Sequence, residues 1–327
     1  MAGWRLTRRT AVDVIYSSGP SFVNHLVGAV VSALSHKPLV CDFRDAWMAD
    51  PMLRTTTPRR LLQIHARQEA FVINQSSAVI TTNPFVTADF RNRYVSSSRI
   101  YQTIYNGFDP DDYSGVTPAP TTEGRLRVVH TGRLYGERSP RPLLQAVRAL
   151  FESEPALRGK VEVVLVGACE VFDDGKQVED YIREMGLEAA VRVTGYVSRQ
   201  ESLAHQAGAD VLVCVTGRVP EQGRYTYGIA GKLFDYLPWH KPILALTDEG
   251  ATAAFLREHG IGCVFSPDDI VGQTGYLAKL CHEKDAMRGK HGAAAALSDK
   301  FNTRTLTGQL AECFRDVSDV KREISNG

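Results

Sequence analysis

The chain has 327 residues, and its 38 lysines and arginines against 37 aspartates and glutamates give a formal net charge of +1. Hydrophobic residues make up 43% and charged residues 23%, as in ordinary globular proteins, which excludes a disordered or fibrous chain. The balanced charge predicts no nucleic-acid partner. The length predicts about two domains. Six cysteines without a CxxC pair are expected to be reduced thiols of a cytosolic protein.

The chain carries no sequence that predicts membrane insertion. Its longest apolar stretch, 26–34, is too short to span a bilayer. The segment MAGWRLTRRT lacks the apolar core of a signal peptide. We therefore expect a cytoplasmic protein, with peripheral contact at the inner face of the membrane as an additional possibility.

The first part of the chain alternates short apolar strands with helical patterns. Strands are predicted at 12–16, 39–43, 78–81 and 100–104. Helices are predicted at about 21–35, 58–75 and 84–93. This alternation indicates βαβ units on a parallel sheet with helices on both faces.

A segment rich in Pro, Gly, Ser and Thr, 113–124, is predicted to be a linker to a second α/β unit. Strands of that unit are predicted at 126–130, 161–166, 191–194, 211–215, 242–246 and 263–265. Helices are predicted at about 139–154, 175–186, 199–206, 230–237, 250–259 and 303–324. The predicted domains are 1–120 and 125–300, with a C-terminal helix in 301–327 that packs back toward the first domain.

A run of arginines at 54, 59, 60 and 67 stands out in the first part, because no acidic residue occurs between 51 and 68. One interpretation is a solvated helix face. The other is a patch that meets anionic lipid or a phosphate-bearing acceptor, where each basic residue would contribute about 1 kcal/mol.

The loop VVHTGRLYGERSP, 128–140, joins a strand to a helix through a tight turn at Gly132. In open α/β sheets, ligands bind outside the carboxyl ends of the strands, and a helix N-terminus there favours phosphate. Arg133 and Arg138 would add two permanent cations that suit a diphosphate. The alternative is an ordinary turn with two solvated arginines.

The segment GRYTYGIAGKLFDYLPWHKPILAL, 223–246, has glycines at 228 and 231 that would let the backbone approach a ligand. Lys232 falls in the first turn of the predicted helix, where the helix dipole disfavours a cation. An anionic ligand therefore explains this lysine better than helix stability does. Asp235 follows on the same helical face, where its carboxylate could accept hydrogen bonds from sugar hydroxyls.

Five segments of the second part occur in an order that resembles the donor half of the GT-B glycosyltransferases: HTGRLYGERSPRPLL, VEVVLVG, VTGYVSRQE, GADVLVCV and AGKLFDYLPWHKPILAL. The chain looks like family four, the retaining, metal-independent group that builds bacterial polysaccharides and glycolipids. Four earlier segments are similar to that group's acceptor half and hinge: DVIYSSGPSFVNHLVG, KPLVCDFRDAW, SAVITTN and YNGFDPDDY. The resemblance covers nearly the whole chain and implies two Rossmann-like domains facing across a cleft.

The resemblance also implies roles for individual residues. The family's donor-diphosphate pair, an arginine after the turn glycine and a basic residue five positions later, matches Arg133 and Arg138, with Gly132 as the turn. The family's His-Asp pair aligns with Arg44 and Asp45. Because the histidine is absent, only a position near the transferred sugar, on the acceptor side, is carried over.

The family's Glu-x7-Glu element falls on Tyr227 and Asp235. The second carboxylate is expected to hold the ribose and survives in shortened form as Asp235. The first is expected to touch the donor sugar and is replaced by Tyr227. Some relatives carry a GKLFEY-like version, so Lys232 with Asp235 resembles that subgroup, and Gly228 joins the donor-binding set.

The implied function is transfer of a sugar from a nucleoside-diphosphate sugar to a glycan or lipid-linked acceptor, with retention of configuration, in bacterial cell-surface polysaccharide or glycolipid synthesis. Arg133, Arg138 and Asp45 are the expected catalytic residues, and no metal or other cofactor is expected. Two alternatives stay open. In the first alternative, the chain is a catalytically inactive nucleotide-sugar binding fragment. In the second, it performs another GT-B chemistry such as nucleotide-sugar epimerisation.

The first domain is expected to be incomplete. The strand predicted at 12–16 resembles the fourth strand of the family's acceptor half. With about 30 residues for each βα unit, about 90 residues of that half would be missing. Their absence would expose the edge and faces of the remaining strands.

Overall fold

The computed structural model describes residues 2–136, 138–170, 172, 174–216, 228–287 and 292–326. The chain divides into two compact units. The described residues of the first unit are 2–106, 228–229 and 303–326. Those of the second unit are 107–136, 138–170, 172, 174–216, 230–287 and 292–302.

The first unit is a parallel sheet with helices. Its elements before the linker are α1 (Ala2–Arg9), β1 (Ile15–Gly19), α2 (Phe22–Ser35), β2 (Leu39–Phe43), α3 (Pro51–Thr56), α4 (Arg59–Gln75), β3 (Ala78–Thr81), α5 (Pro84–Arg93) and β4 (Ile100–Thr103). The strands lie in the order β1-β2-β3-β4 and all pair in parallel. Every residue of β2 and β3 is buried, which explains their nearly continuous apolar sequences.

The second unit is a six-stranded parallel sheet with the order β10-β9-β8-β5-β6-β7. Its elements are β5 (Leu126–Thr131), α6 (Arg141–Ser153), β6 (Val161–Val166), α7 (Val178–Glu184), β7 (Val191–Val193), α8 (Arg199–Ala207), β8 (Val211–Val215), α9 (Lys232–Tyr236), β9 (Ile243–Leu246), α10 (Ala251–Glu258), β10 (Cys263–Phe265), α11 (Ile270–Met287) and α12 (Gly292–Phe301). Short 3₁₀ helices lie at Pro110–Tyr113, Pro155–Leu157 and Leu237–Trp239.

The C-terminal helix α13 (Thr303–Asn326) belongs to the first unit. Cys313 and Val317 on this helix form a buried cluster with Val40 of β2 and with two residues of β3, Ala78 and Ile80. The helix therefore covers one face of the first sheet, while α2 and α4 contribute to the core on the other side of the same strands.

Two parallel α/β sheets were expected from the sequence, and the structure confirms this fold class. The prediction of the first strand at 12–16 was wrong, because the strand spans Ile15–Gly19. The reason is register: β1 pairs residue by residue with all of β2, from Ile15 opposite Leu39 to Gly19 opposite Phe43. Pairing with a fully buried partner therefore fixes the strand three residues later than the apolar pattern VDVIY suggests.

The sequence analysis also missed four helices, α1, α3, α11 and α12. In α11 the glycines at 272 and 275 interrupt the helical pattern. This helix nevertheless packs against α6 and buries Leu277 and Leu280 in the core of the second unit. Tertiary burial thus overrides weak local propensity at this position.

Candidate functional site

The sheet of the second unit reverses its strand order between β5 and β8. From β5 the chain continues to β6 and β7 on one side, whereas β8, β9 and β10 lie on the other. In open α/β sheets the crevice at such a reversal, outside the carboxyl ends of the strands, is the usual place for a ligand. The segments that begin at Gly132, after β5, and at Thr216, after β8, leave the sheet at this point.

Backbone contacts hold the loop after β5 in place. Gly132, whose φ is +105°, donates its N–H to the carbonyl of Val166 over 2.8 Å. A Cβ atom added at Gly167, whose φ is +125°, would lie 2.6 Å from the Gly132 oxygen. Leu134 continues the pairing with residues 168 and 170. Gly167 is therefore required by the close approach of the two backbones, whereas glycine at 132 is favoured by its positive φ.

The loop brings the two predicted diphosphate-binding arginines onto one aromatic ring. The guanidinium carbon of Arg133 lies 5.3 Å from the ring centre of Tyr135, and that of Arg138 lies 5.1 Å from the same ring. Both contacts have cation–π geometry. Arg133 also forms an ion pair with Glu170, and its side chain stays 57% exposed. The two cations are thus grouped at the carboxyl end of β5, where solvent and ligands can reach them.

Lys232 adds a third cation to this region. It is the first residue of α9, and its Nζ lies 2.5 Å from Nε2 of His130 and 3.6 Å from the position that a Gly132 Cβ would take. Burial, followed by the positive charge of Arg138, lowers the pKa of Lys232 to about 8. An anion placed beside this amine would raise its pKa again.

His130 stands at the buried side of the same contact. It is 1% exposed, and burial together with the charges of Lys232 and Arg138 lowers its pKa well below the usual value for histidine. A neutral His130 accepts the hydrogen bond from Lys232 at Nε2, which leaves the proton on Nδ1. Among the described residues, that buried Nδ1 atom has no hydrogen-bond partner.

Asp235, the predicted ribose ligand, forms a two-pronged ion pair. Arg199 donates to both carboxylate oxygens of Asp235 over 2.9 Å, and the hydroxyl of Tyr113 lies 3.3 Å from one of them. Burial and the charge of Asp235 raise the pKa of Tyr113. Arg199 is fixed at the start of α8 by a capping box in which Ser198 and Glu201 satisfy each other's backbone N–H groups. This arrangement holds the carboxylate by geometry more specific than a single charge contact.

The remaining predicted donor residues are only partly described. Tyr227 lies outside the described residues. Gly228 is exposed and belongs to the first unit, whereas Lys232 and Asp235 belong to the second. A Cβ added at Gly228 would meet no described atom within 4 Å.

Arg44 and Asp45, the predicted acceptor-side residues, follow the carboxyl end of β2 in the first unit, and both are exposed. Arg44 donates to the side-chain oxygen of Asn106 over 2.6 Å, and the hydroxyl of Thr82 donates to the Arg44 carbonyl. Glu69 of α4 contacts the loop that carries them. This glutamate is fully buried and accepts a hydrogen bond from the backbone N–H of Met48.

Several of these contributors were missed by the sequence analysis: Tyr113, His130, Tyr135, Arg199 and Glu69. Tyr135 could have been noticed, because it lies between the two arginines in the same loop. His130 lies in that segment too, at the end of β5. Tyr113 and Arg199 reach Asp235 from distant parts of the chain within the second unit, and Glu69 reaches Met48 within the first unit. No local spacing in the sequence signals such contacts.

A cavity of about 490 Å³ opens at the carboxyl ends of the same strands. Ser139, Arg141, Phe172, Asp174 and Thr216 contribute to its wall. Arg141 pairs with Asp174 and lies 4.1 Å above the ring of Phe172. Gly136 of the loop after β5 also lines the cavity. The arginines of that loop, Arg133 and Arg138, do not line it, and neither does Lys232 of α9.

Within the described part of the chain, no cluster of three or more His, Cys, Asp or Glu residues has the arrangement of a metal site. The expectation of a metal-free site stays a prediction. No described helix is both long and apolar enough to cross a membrane.

Comparisons with known proteins give the class of fold. Residues 125–282 match the model of the family described as glycosyl transferases group 1. HepE from Anabaena, solved with UDP, superposes with a TM-score of 0.67 at 22% identity, over 96% of this chain and 82% of that chain. Sucrose-phosphate synthase from Thermosynechococcus elongatus superposes with a TM-score of 0.65 at 13% identity, over 97% of this chain and 76% of that chain. A UDP-forming α,α-trehalose-phosphate synthase from Burkholderia xenovorans superposes with a TM-score of 0.67 at 14% identity, over 97% of this chain and 78% of that chain. Among curated protein sequences, none matches the chain.

The chain therefore has the GT-B fold, as the sequence predicted, and residues 125–282 match a glycosyltransferase family. Membership of family four and retention of configuration stay predictions. The matched segment contains the loop after β5, Lys232 and Asp235, so the family match and the cationic site coincide.

Proposed function

We propose that this chain is a glycosyltransferase that takes a sugar from a nucleoside-diphosphate sugar. The observation that carries the proposal is the group of three cations at the carboxyl end of β5. Arg133 and Arg138 share the ring of Tyr135, and Lys232 lies beside Gly132. A diphosphate is the ligand whose charge and shape suit two arginines and a lysine at a helix-proximal loop.

The mechanism follows from the charge that develops on the leaving group. When the bond between the sugar and the diphosphate breaks, negative charge grows on the diphosphate oxygens. Arg133 and Arg138 stabilise that charge by charge-assisted hydrogen bonds, with Arg133 exchanging Glu170 for phosphate. Lys232, whose pKa is about 8 in the free chain, is already cationic at neutral pH, and above about pH 8 it takes up a proton as the anion binds, because the anion raises its pKa.

Asp235 is proposed to bind the ribose by hydrogen bonds. Its carboxylate, held by Arg199 and Tyr113, retains lone pairs that a sugar hydroxyl can donate to. On the acceptor side, Arg44 and Asp45 are proposed to lie near the transferred sugar. Asp45 is also one of the proposed catalytic residues, and the reaction is proposed to need no metal.

The donor to try first is a UDP-sugar. The HepE structures contain UDP, UDP with glucose, or UDP-glucose. The acceptor is proposed to be a glycan or a lipid-linked saccharide of the bacterial cell surface, and transfer is proposed to retain the anomeric configuration.

Transfer from radiolabelled UDP-sugars to membrane extracts tests the proposal. We expect label in the glycan or lipid fraction, and a loss of at least about 100-fold in rate for Arg133→Ala/Arg138→Ala, as for removal of one oxyanion donor. Arg148→Ala/Arg183→Ala, on exposed helix surfaces of the same unit, serves as the control. Donor binding without transfer in every extract would instead assign the chain as a non-catalytic nucleotide-sugar binding protein. Free sugar released without an acceptor would indicate an epimerase-like chemistry.

A further inference from the structure

A chain of side-chain hydrogen bonds joins the end of β5 to α8 and to the segment that begins with α9. The indole N–H of Trp239 donates to the side-chain oxygen of Gln206 over 2.8 Å, and the Gln206 amide donates to the Thr131 hydroxyl over 3.2 Å. The Tyr236 hydroxyl lies 3.2 Å from the Thr131 hydroxyl and donates to the Val213 carbonyl over 3.1 Å. Because Tyr236 gives its one proton to Val213, the Thr131 hydroxyl donates to Tyr236, and each donor in the chain has an acceptor.

The Tyr236 hydroxyl is the centre of this chain. It is fully buried, and it also accepts a hydrogen bond from the backbone N–H of Thr131 over 3.1 Å. Burial raises the pKa of the Tyr236 phenol, so the group stays protonated and keeps its role as a donor. A single oxygen thus connects α9 to the last residue of β5, through two contacts, and to β8 through a third.

These contacts hold α9 at the place where Lys232 meets the loop after β5. Lys232 and Tyr236 are the first and last residues of α9 and lie four positions apart, on the same face of the helix. Thr131 lies between His130 and Gly132 in the chain. Lys232 contacts His130 and lies 3.6 Å from the position that a Gly132 Cβ would take, one helical turn from the oxygen of Tyr236 that is bonded to Thr131.

Apolar contacts also stabilise α9, because Leu233 and Phe234 are buried. Such contacts have no preferred direction, whereas a hydrogen bond requires a defined distance and angle. The Tyr236 hydroxyl therefore fixes the position of α9 relative to the end of β5 in a way that burial of the two apolar side chains does not.

We propose that the Tyr236 hydroxyl is a positioning group that holds the amine of Lys232 beside the loop after β5 before any nucleotide binds. Tyr236 acts through Lys232 and through the backbone of Thr131. A site that is formed in advance binds its ligand more tightly, because less conformational freedom is lost on binding. The inference rests on the proposed function, since it is the donor diphosphate that Lys232 would meet there.

Titration of Lys232 tests the positioning role without a nucleotide. The charged or titratable groups that face the amine are His130 of β5, Arg138 of the loop after β5, Cys214 of β8 and Asp235 of α9. Burial and the charge of Arg138 lower the pKa of Lys232 to about 8. Tyr236→Phe keeps the ring and removes only the hydroxyl. If the amine then leaves its buried position, its pKa should rise by at least about 1.

Carbon-13 NMR of the full chain, labelled at Cε of lysine, measures this pKa. The Lys232 signal is the one that disappears in Lys232→Arg. Tyr276→Phe is the matched control, because Tyr276 is a partly buried tyrosine of the same unit that contacts Cys263, and its substitution should leave the Lys232 pKa unchanged. A loss of stability alone, which urea unfolding measures in both variants, does not move the pKa of one lysine.

Calorimetric titration of UDP gives the second measurement. At about pH 7 we expect UDP to bind Tyr236→Phe about five- to tenfold more weakly than the wild type, as for the loss of a hydrogen bond, and Tyr276→Phe as tightly as the wild type. A wild type that binds no UDP, but whose Lys232 pKa rises in Tyr236→Phe, would contradict the proposed function and still support the positioning role.

Threonine 131 gives a milder variant of the same test. Thr131→Val removes the hydroxyl that Gln206 and Tyr236 share, so the pKa of Lys232 should rise by less than in Tyr236→Phe. Thr131→Ser keeps the hydroxyl and should keep the wild-type pKa. The same Lys232 pKa in the wild type, in Thr131→Val and in folded Tyr236→Phe would overturn the proposal, and so would an ordinary lysine pKa in the wild type.

Discussion

Lys232 and His130 meet at the carboxyl end of β5, with Nζ and Nε2 2.5 Å apart, although 102 residues separate them in the chain. A cation lies against a histidine that burial keeps neutral, and a second cation, Arg138, lies near enough to lower the pKa of both. Such an accumulation of positive charge in a partly buried place is costly without an anion. We therefore propose that Lys232 binds an anionic ligand.

Nucleotide affinity should depend on pH through Lys232. With a pKa of about 8 in the free chain, the lysine is cationic below that pH and binds diphosphate. As pH rises above about 8, the free chain loses the charge, so affinity for UDP should fall. Calorimetry at about pH 7 and pH 9 in buffers of different ionisation enthalpy should show weaker binding and more proton uptake at the higher pH. Lys232→Arg should remove both effects, because arginine stays charged. Equal affinity and no proton uptake in the wild type would contradict this role.

Gly167→Ala should destabilise the second unit by about 3 kcal/mol or more. The new Cβ would lie 2.6 Å from the Gly132 oxygen, and the residue has a φ of +125°. The matched control is Gly275→Ala in the middle of α11, where a Cβ meets no described atom within 4 Å and alanine should stabilise the helix by about 0.5–1 kcal/mol. Urea unfolding measures both variants. A Gly167→Ala variant as stable as the wild type would show that the two loops are not in backbone contact.

Asp235 should make the site selective for ribose over deoxyribose. The wild type should bind UDP at least about 10-fold more tightly than 2′-deoxy-UDP, as for the loss of a hydrogen bond to a charged group. In Asp235→Asn the difference should shrink, mainly through weaker binding of UDP. Asp174→Asn, which changes the carboxylate that pairs with Arg141 at the cavity, is the control. A ribose preference of full size in Asp235→Asn would assign that role to another residue.

Glu69→Ala should destabilise the first unit by about 3–5 kcal/mol. The change removes the acceptor of Arg93, Tyr94 and the Met48 N–H from a fully buried position. Glu152→Ala, which breaks an exposed i,i+4 pair with Arg148, should change the free energy of unfolding by less than about 0.5 kcal/mol. Urea unfolding followed by tryptophan fluorescence measures both, because Trp47 is buried next to Met48 in the first unit and Trp239 belongs to the second. Similar effects of the two substitutions would mean that Glu69 does not hold the loop after β2.

The sequence predicts what depends on local pattern. The strand positions of the second unit, the turn at Gly132 and the grouping of Arg133 with Arg138 follow from apolar runs, a glycine and a spacing of five residues. The register of β1 does not, because it is set by pairing with β2. Nor do the contacts of Lys232 with His130 and of Asp235 with Arg199, since each joins segments that only the strand order brings together.

The sequence also does not show which charged residues of a helix are buried. Glu69 and Arg67 are two residues apart on α4, yet one is fully buried and paired and the other is exposed. Which helices pack side by side is likewise a property of the fold, as the contacts of α2 with α1 and α4 show.

The most direct test of the central claim, that the loop after β5 holds the diphosphate of the donor, is calorimetric titration of UDP into the full chain. The account predicts saturable binding by the wild type, binding lost in Arg133→Ala/Arg138→Ala, and binding retained in Arg148→Ala/Arg183→Ala. UDP binding of equal strength in all three proteins would contradict the claim, because the nucleotide would then bind away from the ring of Tyr135.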